Sequence, residues 1–105
     1  MQDNITTLFK AIADPTRREI FHALIVASSA LSITQISNQF EITRQGVTKH
    51  INTLAAAGLV HINIQGRERI CYANAKGLKE INTWLKFYEK FWDNKLQNLE
   101  DFLNT

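Results

Sequence analysis

The stretch SITQISNQFEITRQGVTKHINTLAAAG, residues 32–58, decides the fold. Ser32 followed three residues later by Gln35 has the form of a capping box and opens a short helix to about Phe40. Glu41-Ile42-Thr43 is too short to be a loop of its own, and Thr43 is a second N-cap candidate. The helix it opens runs to Gly58, a natural left-handed stop. Two short, separately capped helices about three residues apart have the spacing of a helix-turn-helix. On a wheel advancing about 100° per residue, Val47, Ile51 and Leu54 share one face of the second helix. Gln45, Thr48, Lys49, Asn52 and Ala56 occupy the other. That outer face suits a major groove about 12 Å wide, because its side chains can hydrogen-bond base edges and phosphates. Taken alone, it equally suits the solvated surface of a small helical bundle.

Beyond Gly58 the period changes to two. Val60, Ile62 and Ile64 alternate with His61 and Asn63, Gln65-Gly66 gives a turn, and Ile70 and Tyr72 alternate again. This predicts a hairpin whose tip carries Arg67 and Arg69. The formal net charge is only +2, but it is concentrated. Residues 41–70 hold Arg44, Lys49, Arg67 and Arg69 against Glu41 and Glu68, while the flanking segments are balanced. A helix-turn-helix followed by a basic hairpin is a winged helix, and phosphate contacts from the hairpin would orient such a domain on DNA without reading sequence.

On the N-terminal side, Asp14-Pro15 divides an apolar stretch, because proline suits the first turn of a helix and disfavours helix in the residue before it. One helix carries Ile5, Leu8, Phe9 and Ile12 and ends near Ala13; another begins at Pro15 and carries Ile20, Ala23, Leu24 and Ala27. Ser28, Ser29 and Ala30 make a polar break. On the C-terminal side a helical pattern runs from Leu78 to about Leu103, roughly 39 Å at 1.5 Å per residue. Leu78, Leu85, Trp92, Leu96 and Leu103 form one side of its apolar arc, Ile81, Tyr88 and Leu99 the middle, and Trp84, Phe91 and Phe102 the other side. The arc spans about 140°, wider than the stripe of about 100° that one packing surface demands. Two surfaces are implied, the helix's own domain and a second chain.

The 105 residues, 45 % of them hydrophobic, fit one compact domain that buries roughly two-thirds of its unfolded surface, so a partner subunit would add useful burial. The longest apolar run, ALIVA at 23–27, falls far short of a membrane span. The single cysteine can form no internal disulfide, and MQDNITT lacks the features of a signal peptide, so a cytoplasmic protein is expected.

These residues resemble a known family over nearly the whole chain, the ArsR-type winged helix-turn-helix repressors of bacteria. LFKAIADPTRREI at 8–20 resembles that family's second-helix opening, TRQGVTKHINTLAAAGLV at 43–60 its recognition helix and the turn into the wing, and GRERICYA at 66–73 its wing. WLKFYEKFWDNKLQNLEDFL at 84–103 is similar to the ending of the subgroup that has a long C-terminal dimer helix and no metal-sensing cysteines. The resemblance implies a homodimeric repressor. It also implies no regulatory metal, since Leu31-Ser32-Ile33-Thr34-Gln35-Ile36 stands where the sensing branch has thiolates, and no histidine follows His61 for the site on the last helix.

Single residues refine this expectation. Cys71, alone in the second wing strand, reads as a small strand residue, with redox sensing the other option. His22, in a mostly apolar helix, reads as a core or cap histidine, and His61 carries no assignment. His50 flanks the apolar face, where its ring could pack and still offer a nitrogen to a phosphate; the family motif it matches supports that role. Gly46 inside a helix points to close backbone approach by the preceding helix or by DNA. No phosphate loop, nucleophile elbow or histidine-carboxylate cluster supports catalysis.

The expectation is therefore a mainly α protein with a small β-hairpin, in which residues 1–105 form a single winged helix-turn-helix DNA-binding domain with N- and C-terminal dimerisation helices. The helix-turn-helix is placed at about 32–57, the wing at about 59–74 and the dimer helix at about 78–103. Gln45, Thr48, Lys49 and Asn52 are expected to face bases, Thr43, Arg44 and His50 the backbone of double-stranded DNA, and Arg67 and Arg69 its phosphates or the minor groove. The dimer interface is expected from Ile5, Leu8, Leu85, Tyr88, Phe91, Trp92, Leu96, Leu99 and Phe102. No cofactor, metal or membrane partner is expected, and a small-molecule effector is left open. A winged-helix protein-interaction module and a redox regulator using Cys71 are the alternatives.

Overall fold

The computed structural model describes residues 4–27 and 30–104; the polar break placed at Ser28 and Ser29 lies outside them. The chain runs α1 (Asn4–Ile12), α2 (Pro15–Val26), β1 (Leu31–Ser32), α3 (Ile33–Phe40), α4 (Arg44–Ala56), β2 (Val60–Gln65), β3 (Glu68–Ala73) and α5 (Lys76–Leu103). The helix-turn-helix is α3 and α4, and the wing is β2 and β3.

Local chemistry places each boundary. Asp14 caps α2 by accepting from the Arg17 amide at 3.0 Å. Ser32 and Gln35 form the reciprocal capping box, and Thr43 accepts from the Gly46 amide at 3.0 Å. The turn between α3 and α4 is closed by Glu41 in the left-handed conformation (φ 55°) and by the Ser37 hydroxyl donating to the Ile42 carbonyl. A Cβ on Gly46 would lie 2.9 Å from Ile42 Cγ2 and 3.2 Å from Thr43 Oγ1, so it is the turn that approaches this glycine.

The sheet has the order β1-β3-β2, antiparallel throughout. It thus has one strand more than the expected hairpin: β1 is two residues long, too short to show any period, and pairs Leu31 with Cys71. The hairpin register opposes Gln65 to Glu68, so the loop is Gly66-Arg67, one residue later than expected. Gly66 at φ 63° followed by a residue at negative φ is the signature of a type II′ turn, which matches strand twist.

Val60, Ile62, Cys71 and Ala73 face the core, and Ile70 and Tyr72 the other side. Ile64 continues the inward face beyond the point where the body ends and is 68 % exposed. The core itself gathers Leu8, Ala11, Ile20, Leu24, Ile33, Ile36, Val47, Ile51, Leu54, Leu59 and Cys71. Two expectations are corrected. Leu8 is 0 % exposed and already covered by its own chain, so it has no surface left for a dimer partner. His22 is exposed rather than in the core.

The start of α5 is locked onto the body. Gly77 donates to the Gly58 carbonyl at 3.0 Å, and a Cβ on it would lie 2.8 Å from Leu8 and Leu59 and 2.9 Å from the Ala57 carbonyl. Ile81 packs against the core, Trp84 meets Phe9 edge-on at 5.1 Å, and Asn4 donates to Glu80. Beyond this the helix leaves the body, giving the molecule extents of 68 × 30 × 20 Å.

Candidate nucleic-acid interface

The N-terminal half of α4 and the wing converge. Arg44, Gln45, Thr48, Arg67 and Arg69 line a recess of about 330 Å³ whose floor includes Ile33. Arg69 reaches it because its register partner is Ile64, on the sheet face that points inward until the body ends. Among the described residues none of these three arginine side chains is engaged in an ion pair or hydrogen bond, so all three cations remain available to an anion.

The remaining predicted residues are spread around the same helix. Lys49 and Asn52 are exposed, and Thr43 is held at the helix start by its capping bond. Asn52 lies apart from the arginine recess, in a second one of about 350 Å³ with Thr7, Lys10, Thr53 and Ala56. The Thr48 and Thr53 hydroxyls donate to the Arg44 and Lys49 carbonyls within the helix. His50 is half-buried, with Nδ1 3.4 Å from Arg17 Nη1. Arg17 is a residue that the sequence reading did not single out, although its i, i+3 relation to the cap Asp14 was visible. The Arg17 amide donating to its carboxylate holds Asp14 below the usual carboxylate range.

Cys71 stands apart from this surface. It is fully buried, and desolvation raises its thiol from 9.0 to about 11. A thiolate sensor needs the opposite environment, exposed and electropositive, so the redox alternative loses its chemical basis.

Comparison with known proteins matches this geometry. A family described as a helix-turn-helix domain matches residues 12–63. An ArsR-like transcriptional regulator from Rhodococcus sp. RHA1 superposes with a TM-score of 0.83 at 28 % identity, over 96 % of this chain and 91 % of that one. YuzN of Bacillus subtilis, described as an uncharacterized HTH-type transcriptional regulator, is 35 % identical over 86 residues, 77 % of this chain and 94 % of that protein. The chain belongs to the ArsR-type winged helix-turn-helix regulators. A further relative, the transcriptional repressor SdpR of Bacillus subtilis, is 27 % identical over 88 % of this chain and its own full length. As an ArsR-type regulator the protein is a DNA-binding transcriptional regulator. No helix among the described residues is long and apolar enough to cross a membrane.

Proposed function

We propose that this regulator is a cytoplasmic, non-enzymatic homodimeric repressor that binds an inverted-repeat operator, with residues 1–105 acting as one domain and no metal in its regulation. The observation that carries the reading is the recess where Arg44, Arg67 and Arg69 meet Gln45 and Thr48. Three uncommitted cations beside amide and hydroxyl groups suit a phosphodiester backbone entering a groove whose base edges the helix reads. Gln45, Thr48, Lys49 and Asn52 take the bases; Thr43, Arg44, His50, Arg67 and Arg69 take the backbone.

The dimer rests on α5. Leu78, Leu85, Trp92 and Leu99 repeat every seven residues, with Ile81, Tyr88 and Phe102 on the adjoining line. Apart from Lys95, which falls on the second line, this is the seam of a coiled coil, and all its apolar members except Ile81 are exposed. Ile5, half-buried in a recess with Trp84, extends the apolar surface at the α1 end, and Phe91 and Leu96 broaden it. Two-fold pairing would set the recognition helices in successive major grooves about 34 Å apart.

Selection of bound DNA from a random pool, followed by a salt titration on the enriched site, tests the function. Enrichment of one inverted repeat, with affinity falling steeply as salt rises, is expected. Failure to enrich any sequence would favour a winged-helix protein-interaction module.

A further inference from the structure

We infer that Arg17 is a positioning residue that holds His50 as a neutral Nε2–H donor for a backbone phosphate on the α1–α2 side of the recognition helix, an inference that rests on the DNA-binding reading above. Three groups fix the guanidinium. Its Nε donates to the Ala11 carbonyl at 2.7 Å, its Nη2 to the Lys10 carbonyl at 3.0 Å, and its Nη1 faces His50 Nδ1 at 3.4 Å. Asp14 Oδ2 lies 4.0 Å from the same Nη1. The Ala11 carbonyl is one that the end of α1 leaves open, and the Lys10 carbonyl otherwise accepts only a long bond from the Ala13 amide at 3.4 Å, so turning the arginine away from the histidine would weaken the cap of α1.

The chemistry of the pair then sets the tautomer. A guanidinium has donors and no acceptor, so the Nδ1 it faces must be the bare, accepting nitrogen. In the neutral ring the proton is therefore on Nε2. Nε2 makes no hydrogen bond among the described residues and is not fully buried. It is a donor fixed in direction and left unused.

Its position fits a strand of the duplex. On the α4 wheel His50 and Thr53 flank the helix on the side opposite Arg44, by about 120–180°. Lys10, whose carbonyl anchors Arg17, lines a recess that reaches Thr53 on this flank, with His50 itself outside it. The arginine recess serves the wing side of the groove; a histidine donor with Lys10 nearby serves the other. The two contacts differ in kind. A cation releases a counterion on binding phosphate, whereas a neutral N–H contributes affinity without salt dependence.

The test uses the full-length protein. Nitrogen-15 NMR of the His50 ring at mildly alkaline pH is expected to show a proton on Nε2 and none on Nδ1, and a Nδ1–H or mixed ring overturns the proposal. Arg17→Lys keeps the charge and a carbonyl partner but cannot hold three groups; with melting checked to confirm folding, it is expected to mix the tautomers. DNA binding then separates the roles. His50→Ala is expected to weaken the operator about tenfold with an unchanged salt slope, and His50→Gln, which retains a donor near Nε2, to recover most of it. Arg17→Lys should lose a similar factor, and nothing further when His50→Ala is added. A salt slope reduced by about 0.9 in His50→Ala would mean a cationic contact and overturn the neutral donor. Should the parent protein bind no DNA, the function reading falls together with the phosphate contact, and the ring spectrum alone then judges Arg17.

Discussion

The two ends of α5 obey different rules. At Gly77 the helix meets Leu8, Leu59 and the Ala57 carbonyl so closely that a single methyl group would not fit, and Ile81 packs against the core. Fifteen residues past Gly77, Trp92 is 62 % exposed, and Phe102 near the end is 75 % exposed. Yet the apolar character of the sequence is as high at the far end as at the near one. The body is a surface that this chain completes by itself; the distal helix is half of a surface. A small domain tolerates such apolar exposure poorly when contiguous patches grow beyond a few hundred Å², and that marks an interface.

The largest effect should follow from charging the distal seam. Trp92→Glu combined with Leu96→Glu is expected to convert a dimer into a folded monomer by sedimentation, because burying two unpaired carboxylates costs several kcal/mol. Melting of the body should be nearly unchanged, since neither side chain belongs to the core. A double variant that still sediments as a dimer would break the contrast between the two ends. At the near end, Gly77→Ala probes the body instead. Overpacking against two leucines and a backbone oxygen costs about 1–3 kcal/mol, against about 1 kcal/mol regained in helix propensity. A net loss of stability with the dimer retained is expected, the inverse of the distal result.

Two further single variants apply the comparison to the DNA surface. Lys49→Ala should cost about 1–3 kcal/mol and relax sequence preference, if the exposed Lys49 reads a base. Arg67→Ala, in the recess, should weaken all sequences alike and lower the salt slope by about 0.9. Equal, sequence-independent losses in both would remove the base-reading role from Lys49.

Most of the body was legible because its signals are local. The Ser32–Gln35 box, the Thr43 cap, the Gly58 stop and the change of period after it each act within a few residues, and the structure repeats them. What the sequence hid is non-local. The two-residue β1 shows only through its partner in β3, and Gly77 matters only because Leu8 and Leu59 arrive there from distant segments. Leu8 went to the wrong surface for a related reason. Spacing on α1 shows an apolar stripe but not whether its own chain or another covers it. Arg17 was missed because a cation beside a proline turn looks like ordinary surface until its distance to His50 is known. In the candidate interface, the basic residues were nameable from charge placement alone. That Arg44, Arg67 and Arg69 meet in one recess while Asn52 lies in another needed the register of the wing and the packing of α1.

The smallest effect concerns Cys71 and is absent at neutral pH. The thiol, buried against Leu31 and Ile62 in the sheet, ionises near 9.0 when exposed and near 11 when folded. Between those values the unfolded chain has lost its proton while the folded one keeps it, so the unfolded state binds fewer protons and stability falls as pH rises. Other groups titrate in that range, so the measurement is a difference. Denaturant melts of the parent and of Cys71→Ala across it should show a steeper loss in the parent, although the variant starts less stable. Thiol-reagent labelling of the native parent near neutral pH should be slow and speed up only on unfolding. Fast labelling would mean that the body opens at the sheet, and would put Cys71 with the distal helix among the surfaces this chain leaves unfinished.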